Sequence, residues 1–225
     1  MKLRLGFFFT TIGVAIMAVA SANAADIALN APVTIVSGAS LLCCGSAPLS
    51  VVMDGVFLPE GTPFHSPAAY AGAVEWSSQY SGDPSVASGL VLDINLGAEY
   101  TITGAIVQAD NNDSYMLQYW DSASGTWQLL YNVPAIGGSG LETRPNADQQ
   151  TYAPVGPVVT DMLQFSAYNG DAGDAVSEIE VEGSLASTGT IPEPCSLLLL
   201  SSGMAGVGLL GLVRRKSGLR NRGIR

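Results

Sequence analysis

A single histidine sets the first limit on the chemistry open to this chain. His65 follows Pro63-Phe64 in a loop-like stretch. A Ser-His-Asp set would have to use it, yet no Gly-x-Ser-x-Gly elbow accompanies it. A His-Glu-x-x-His zinc site needs two histidines. His65 is therefore either a surface side chain or a contact for a ligand. Arg144 stands in Gly140–Asn146, also loop-like, and two readings fit it equally. Its planar fork can hold one of many carboxylates in place, or it can grip sugar hydroxyls or the carboxylate of an acidic polysaccharide.

Trp76, Trp120 and Trp127 each offer a flat apolar face of the kind that stacks on a pyranose ring. Trp127 alternates with core positions and reads as packing. Trp120 lies out of phase with Tyr119 and beside a turn, which makes it the better surface candidate. The run Asp110-Asn111-Asn112-Asp113-Ser114 bunches oxygen ligands, but Tyr115 occupies the position where an EF-hand needs glycine. An Asx-rich turn is the plainer reading. Nothing singles out a carboxylate pair for glycoside hydrolysis among the 18 acids between residues 25 and 190, so a polysaccharide hydrolase ranks below a binding protein. Cys43 and Cys44 are adjacent and Cys195 is distant, which provides no disulfide framework.

The charge distribution separates the body from its ends. Between residues 25 and 190 the only Lys or Arg is Arg144, so 18 acids against one base leave a formal charge of −17. Such a surface repels phosphate backbones and excludes a nucleic-acid partner. At the N-terminus, Lys2 and Arg4 precede an apolar run from Leu5 to Ala20, and Ala22-Asn23-Ala24 has the small-x-small form of a signal-peptidase site. Residues 1–24 thus read as a signal peptide. At the C-terminus, Cys195–Val213 is 19 residues without a charge, followed by Arg214-Arg215-Lys216. As a helix it would be about 29 Å long, enough to span a bilayer core with the basic tail 214–225 held inside.

Pro192-Glu193-Pro194 stands immediately before that span. Triplet, apolar segment and basic tail in this order resemble the PEP-CTERM protein-sorting signal of Gram-negative bacteria, over residues 191–225. The resemblance implies an exosortase-type processing enzyme as a partner and association with exopolysaccharide. It implies anchoring in the inner membrane with the domain outside, then a place at the cell surface or in the extracellular matrix after processing.

The elements that must position any site lie between residues 25 and 183. Leu90, Leu92, Ile94 and Leu96 alternate with Val91, Asp93 and Asn95, the pattern of a half-buried strand. Gly97–Tyr100 is expected to turn the chain into Thr101–Gln108, where Ile102 and Ile106 share a face. Tyr115, Leu117 and Tyr119 lead to a turn at Asp121–Gly125, and Trp127, Leu129 and Tyr131 return as the hairpin partner. Leu163, Phe165 and Ala167 make a further strand, and Ile179 with Val181 the last. No segment of helical period has useful length. Short strands with Gly, Asn and Asp turns predict an all-β, antiparallel β-sandwich. Residues 184–190, rich in Ser, Gly and Thr, read as a flexible linker.

The succession Trp76, Leu90-Val91-Leu92-Asp93-Ile94-Asn95-Leu96-Gly97, Tyr100-Thr101-Ile102, Tyr115–Tyr119, Gly125-Thr126-Trp127 and Ser177–Gly183 resembles a discoidin domain, the galactose-binding-like jelly roll of coagulation-factor type C. The resemblance implies binding of carbohydrate or membrane surfaces through loops at one end of the sandwich. On that basis Arg144, His65 and Trp120 are the candidate sugar contacts. It also implies a structural calcium held by an Asp in an early Asp-Gly turn and a Glu in the closing strand, places taken here by Asp54 and Glu178. No cofactor is otherwise required. The expected protein is an exported, non-catalytic binder of extracellular polysaccharide. The alternative is a structural envelope or matrix protein with no small-ligand site.

Overall fold

The computed structural model describes residues 25–39, 42, 46–78, 83 and 88–186. Within them the chain is an antiparallel β-sandwich. The strands are β1 (Ala25–Asp26), β2 (Val33–Ser37), β3 (Val74–Ser77), β4 (Ser88–Asp110), β5 (Ser114–Asp121), β6 (Thr126–Val133), β7 (Leu141–Arg144), β8 (Ala153–Asn169) and β9 (Gly173–Leu185). Two strands are long enough to serve both layers. The first half of β4 pairs with β2 and with the end of β8, and β8 continues through β5 to β6. The second half of β4 lies between β7, β9 and the start of β8, and β9 carries β1 and β3.

Alternation placed the first half of β4 correctly. Leu90, Leu92, Ile94 and Leu96 are buried, while Asp93 is half-buried and Asn95 exposed. The expected turn at Gly97–Tyr100 is instead an irregularity within one continuous strand. Gly97 takes φ +78, and pairing with β8 slips between Asn95 and Tyr100. A second register shift, between Ile102 and Gly104, reverses the phase again. Ile102, Ala105, Val107 and Ala109 therefore join the core, and Ile106 is buried on the other face. A third shift, between Leu117 and Gln118 of β5, makes Leu130 the extra residue of β6. It turns Leu130 toward the core and leaves Leu129 51% exposed.

The center of the core is aromatic. Tyr115 stacks on Phe165 with ring centroids 5.3 Å apart, and Trp76 meets Tyr115 edge-on at 6.2 Å. All three are fully buried. Each takes about 150–250 Å² from water, worth about 4–6 kcal/mol at 25 cal/mol per Å². A short α-helix, α1 (Pro67–Gly72), begins with Pro at its first turn and is capped by Ser66 Oγ, which accepts from Ala69 N at 3.2 Å. Strand β9 runs to Leu185, two residues past the boundary read from composition, because Ser184 and Leu185 pair with Thr101 and Tyr100. Residues 1–24, expected to be a signal peptide, Cys43, Cys44, most of the expected linker 184–190 and the expected sorting segment with Pro192, Glu193 and Pro194 lie outside the described residues. Among the described residues no helix is long and apolar enough to cross a membrane.

Candidate functional site

Antiparallel pairing brings the end of β4, the start of β5, the start of β7, the end of β8 and the start of β9 to one end of the sandwich. The connections there are the turn 111–113, the loop 134–140 and the turn 170–172, and the loop 59–66 that precedes α1 folds over them. Main-chain bonds tie these segments together. Gly61 N donates to Leu141 O at 2.7 Å, Leu141 N to Thr62 O at 2.9 Å, and Asn111 N to Gly140 O at 3.0 Å. Ile136 N and Gly137 N both donate to Asn111 O. Gly140 has φ +105, and a Cβ there would lie 2.8 Å from the carbonyl oxygens of Gly61 and Thr62. Only glycine lets these loops approach so closely.

Between them opens a cleft of about 450 Å³, lined by Pro63, Phe64, Asp110, Asn112, Ser139, Gly140 and the turn Asp171-Ala172-Gly173. Its polar groups are interlocked. Asp113 Oδ1 accepts from Asp171 N at 3.0 Å, Asn112 Nδ2 donates to Asp171 Oδ2 at 2.7 Å, and Tyr115 OH donates to Asp113 Oδ2 at 3.3 Å. Burial pushes the Asp113 carboxyl up to about 7, helped by the neighboring charges of Asp174, Asp110 and Asp171. Burial, with Asp171 adding to it, pushes Asp110 up to about 6. Asp110 is 5% exposed, and its Oδ1 has no hydrogen-bond partner. A second hollow of about 310 Å³, around Asn30, Asn95 and Tyr100, carries no charged side chain.

The three candidate sugar contacts do not assemble. Arg144 is not in a loop but in β7, only 1% exposed. Its Nη1 donates to Ala109 O at 2.9 Å and its Nη2 to Asp110 O at 3.1 Å, with the guanidinium 5.9 Å from the center of the Tyr115 ring. It thus clamps the last residues of β4 from behind the cleft. His65 is half-exposed and touches Phe64, a wall of the cleft, with ring centroids 3.9 Å apart. Buried Glu75 holds it on both sides. Glu75 Oε1 accepts from His65 N, and Glu75 Oε2 lies 3.0 Å from His65 Nδ1, which fixes the left-handed φ of +56 there. Trp120 sits six residues along β5 from Ser114, about 20 Å from the cleft end. It packs edge-on against Trp127, its cross-strand partner, at 5.4 Å. Trp127 therefore packs, but against Trp120 rather than in the core.

No family model matches the sequence, and neither does any curated protein. Among solved structures, a serum fucolectin from striped bass superposes with a TM-score of 0.51 at 12% identity, over 75% of this chain and 52% of that one. The fold is discoidin-like. A family 32 carbohydrate-binding module from Clostridium perfringens NanJ, solved with galactose, gives 0.43 at 15% identity over 71% of this chain and 98% of that one. SpGH29 gives 0.45 at 14% identity over 71% of this chain, which spans 28% of its length. This chain thus spans about half of the fucolectin and less of SpGH29.

The discoidin-like sandwich does bring Asp54 and Glu178 together. Glu178 is buried on β9, and its Oε2 accepts from Gly55 N at 3.0 Å and Val56 N at 3.1 Å, both in the turn that Asp54 opens. Burial pushes the Glu178 carboxyl up to about 9, and the adjoining Asp54 carboxylate adds to the rise. Glu178 Oε1 is buried without a hydrogen-bond partner. Two facing carboxylates with an orphaned oxygen need a proton or a cation between them, and that fits calcium. Among the described residues no three His, Cys, Asp or Glu side chains group around a metal position, so main-chain carbonyls would have to complete the shell.

Sequence reasoning noticed the oxygen-rich run 110–114 but read it as a turn, and it missed Phe64, Gly140 and Asp171. The available signal was the second acidic turn, Asp171–Asp174. Nothing in one dimension shows that it meets the first, 58 residues earlier in the chain.

Proposed function

We propose that this chain is an exported, non-catalytic protein of the cell surface or extracellular matrix that binds carbohydrate, exopolysaccharide in the first place, in the cleft at the loop end. The observation that carries the reading is the lining itself. Phe64 supplies an apolar ring for a pyranose face, beside Asp110, Asn112, Ser139 and Asp171, whose oxygens and amide suit hydroxyl groups. The loops are tied by main-chain bonds, so little ordering entropy is lost when a ligand arrives. The discoidin-like fold, shared with a lectin, supports the same conclusion. Calcium, if bound, would be held by Asp54 and Glu178, and the charge it supplies would fix the Asp54 turn to β9. It takes no part in holding sugar.

Export and processing rest on the resemblance of residues 191–225 to the sorting signal. In this reading the signal peptide is removed after Ala24, the segment 195–213 halts in the inner membrane, and an exosortase-type enzyme cuts near Pro192-Glu193-Pro194. Glycan-array and matrix pull-down measurements test the binding reading, and intact-mass analysis of the protein from its host tests the processing. Failure to retain any glycan, with and without calcium, would overturn the first. A mature species that still carries residues 195–225 would overturn the second.

A further inference from the structure

A sheet edge is a row of unpaired main-chain N–H and C=O groups, and proteins guard it with charge, proline, a cover or brevity. Most edges of this sandwich are guarded in one of these ways. The first half of β8, beyond the reach of β5, carries Pro154 and Pro157. Strands β3 and β7 have four residues each, contain Glu75 and Glu142, and take main-chain bridges from Leu42 and Thr62. Strand β1 has two residues, one of them Asp26, and β2 has five, with its pairing broken between Ile35 and Ser37. Strand β6 is the exception. It closes its sheet beyond β5 and pairs with no other strand among the described residues, and its eight residues include no charge, proline or glycine. No charged residue stands between Asp121 and Glu142, in a body with 18 acids between residues 25 and 190. We propose that β6 is the pairing edge for a second copy of this chain, joined antiparallel about a two-fold axis at Gln128.

The side chains fix the register. Strands related by a two-fold axis through the sheet run antiparallel and keep their faces, so residues of like phase stand opposite each other. Trp127 and Leu129 share the outer face, since their partners Trp120 and Gln118 alternate with core-packed Tyr119. Leu129 is 51% exposed and Trp127 half-buried. An axis at Gln128 sets Trp127 of each copy against Leu129 of the other, and Gln128 against its own equivalent. This register uses the regular run 126–129 and stops short of the bulge at Leu130, the one irregularity of the edge. Charge favors the same strand. Two bodies of formal charge −17 repel, and an uncharged strip lets them close without setting carboxylate against carboxylate. Strand β6 leads into the loop 134–140, whose Ser139 and Gly140 line the cleft. An antiparallel pair therefore holds its two clefts at opposite ends of one continuous sheet. On the binding reading above, such a pair bridges two polysaccharide chains.

Eight residues give an edge about 27 Å long, which makes a small interface and a pair of micromolar affinity. Sedimentation equilibrium of the full chain, in a polyoxyethylene detergent density-matched to the solvent, reads it. Leu129→Glu puts a carboxylate at an exposed position, so the fold should hold, which its melting curve checks. Association should weaken at least about tenfold. Any pairing through residues 195–213 is common to both chains, so the difference belongs to β6. Added salt should tighten the pair severalfold by screening the two negative bodies. Gln128→Cys should form a disulfide dimer under mild oxidation severalfold faster than the unaltered chain or Ser122→Cys, which sits in the exposed hairpin turn. Directly opposed Cβ atoms lie about 4.5–5.5 Å apart, close to disulfide reach. An unaltered chain still monomeric at about a hundred micromolar, Leu129→Glu that associates as tightly, or Gln128→Cys no faster than Ser122→Cys would each overturn the proposal. For a polymer that the unaltered chain binds and precipitates, Leu129→Glu should bind without precipitating. Precipitation by that variant would overturn the bridging role. Absence of glycan binding by every chain would remove the cleft reading and leave the pairing to stand on the sedimentation and cross-linking results.

Discussion

Replacing Arg144 separates the two roles open to it in the sequence. In the structure the guanidinium donates to Ala109 O at 2.9 Å and to Asp110 O at 3.1 Å, with Tyr115 below it. Arg144→Met keeps most of the stem and removes both donors. Each hydrogen bond from a charged donor contributes about 1.5–3 kcal/mol, and the carbonyls left behind are buried. The ring contact adds about 1 kcal/mol. Against this, burial depresses the Arg144 pKa, so removing the cation recovers part of its desolvation cost. The net loss should be about 2–4 kcal/mol. In a domain of this size 1 kcal/mol corresponds to about 2–4 °C, which places the fall in melting temperature at about 5–15 °C. Arg144→Lys should recover less than half, because a compact ammonium cannot span two carbonyls as the fork does. Urea titration of the full chain and both variants reads the difference directly. An unchanged midpoint for Arg144→Met would refute the clamp, and lost glycan binding alongside it would return Arg144 to the ligand.

Two further outcomes follow from the geometry. The folded pKa of Glu178, about 9, lies above that of an unfolded Glu, near 4.3, so its contribution to stability is complete below about pH 4.3 and is lost as pH rises toward 9. In chelator the melting temperature should therefore fall between pH 5 and pH 9, calcium should restore more of it at pH 8 than at pH 5, and Glu178→Gln should flatten both effects. A melting temperature indifferent to pH and to calcium would refute this account. Gly140→Ala places a Cβ 2.8 Å from two carbonyl oxygens at φ +105, so it should cost about 1–3 kcal/mol and loosen the loop 59–66. Scanning calorimetry and limited proteolysis check this, and an unaltered melting temperature with intact loops would count against the tight junction.

What was legible in the sequence was whatever repeats with period two. Leu90 through Leu96, Tyr115 with Leu117, Leu163 with Phe165, and Ile179 with Val181 all point inward as their alternation requires. The misplaced residues, Ile106 and Leu129, each follow a register shift, and a bulge inserts one residue without any compositional mark. Asp54 and Glu178 were found through the family pattern, not through spacing, since 122 residues separate Val56 from the oxygen it donates to. Arg144 was read as a loop residue because Gly140 and Pro145 flank it, yet the four residues between them form a strand. A lone cation among 18 acids has many exposed partners to choose from, and its burial against main-chain carbonyls has a consequence for the site. The two terminal nitrogens of the fork are spent on the backbone. Its charge still draws the Asp110 carboxyl downward, so the clamp partly offsets the acidic loop end from behind the cleft without offering the guanidinium to a ligand.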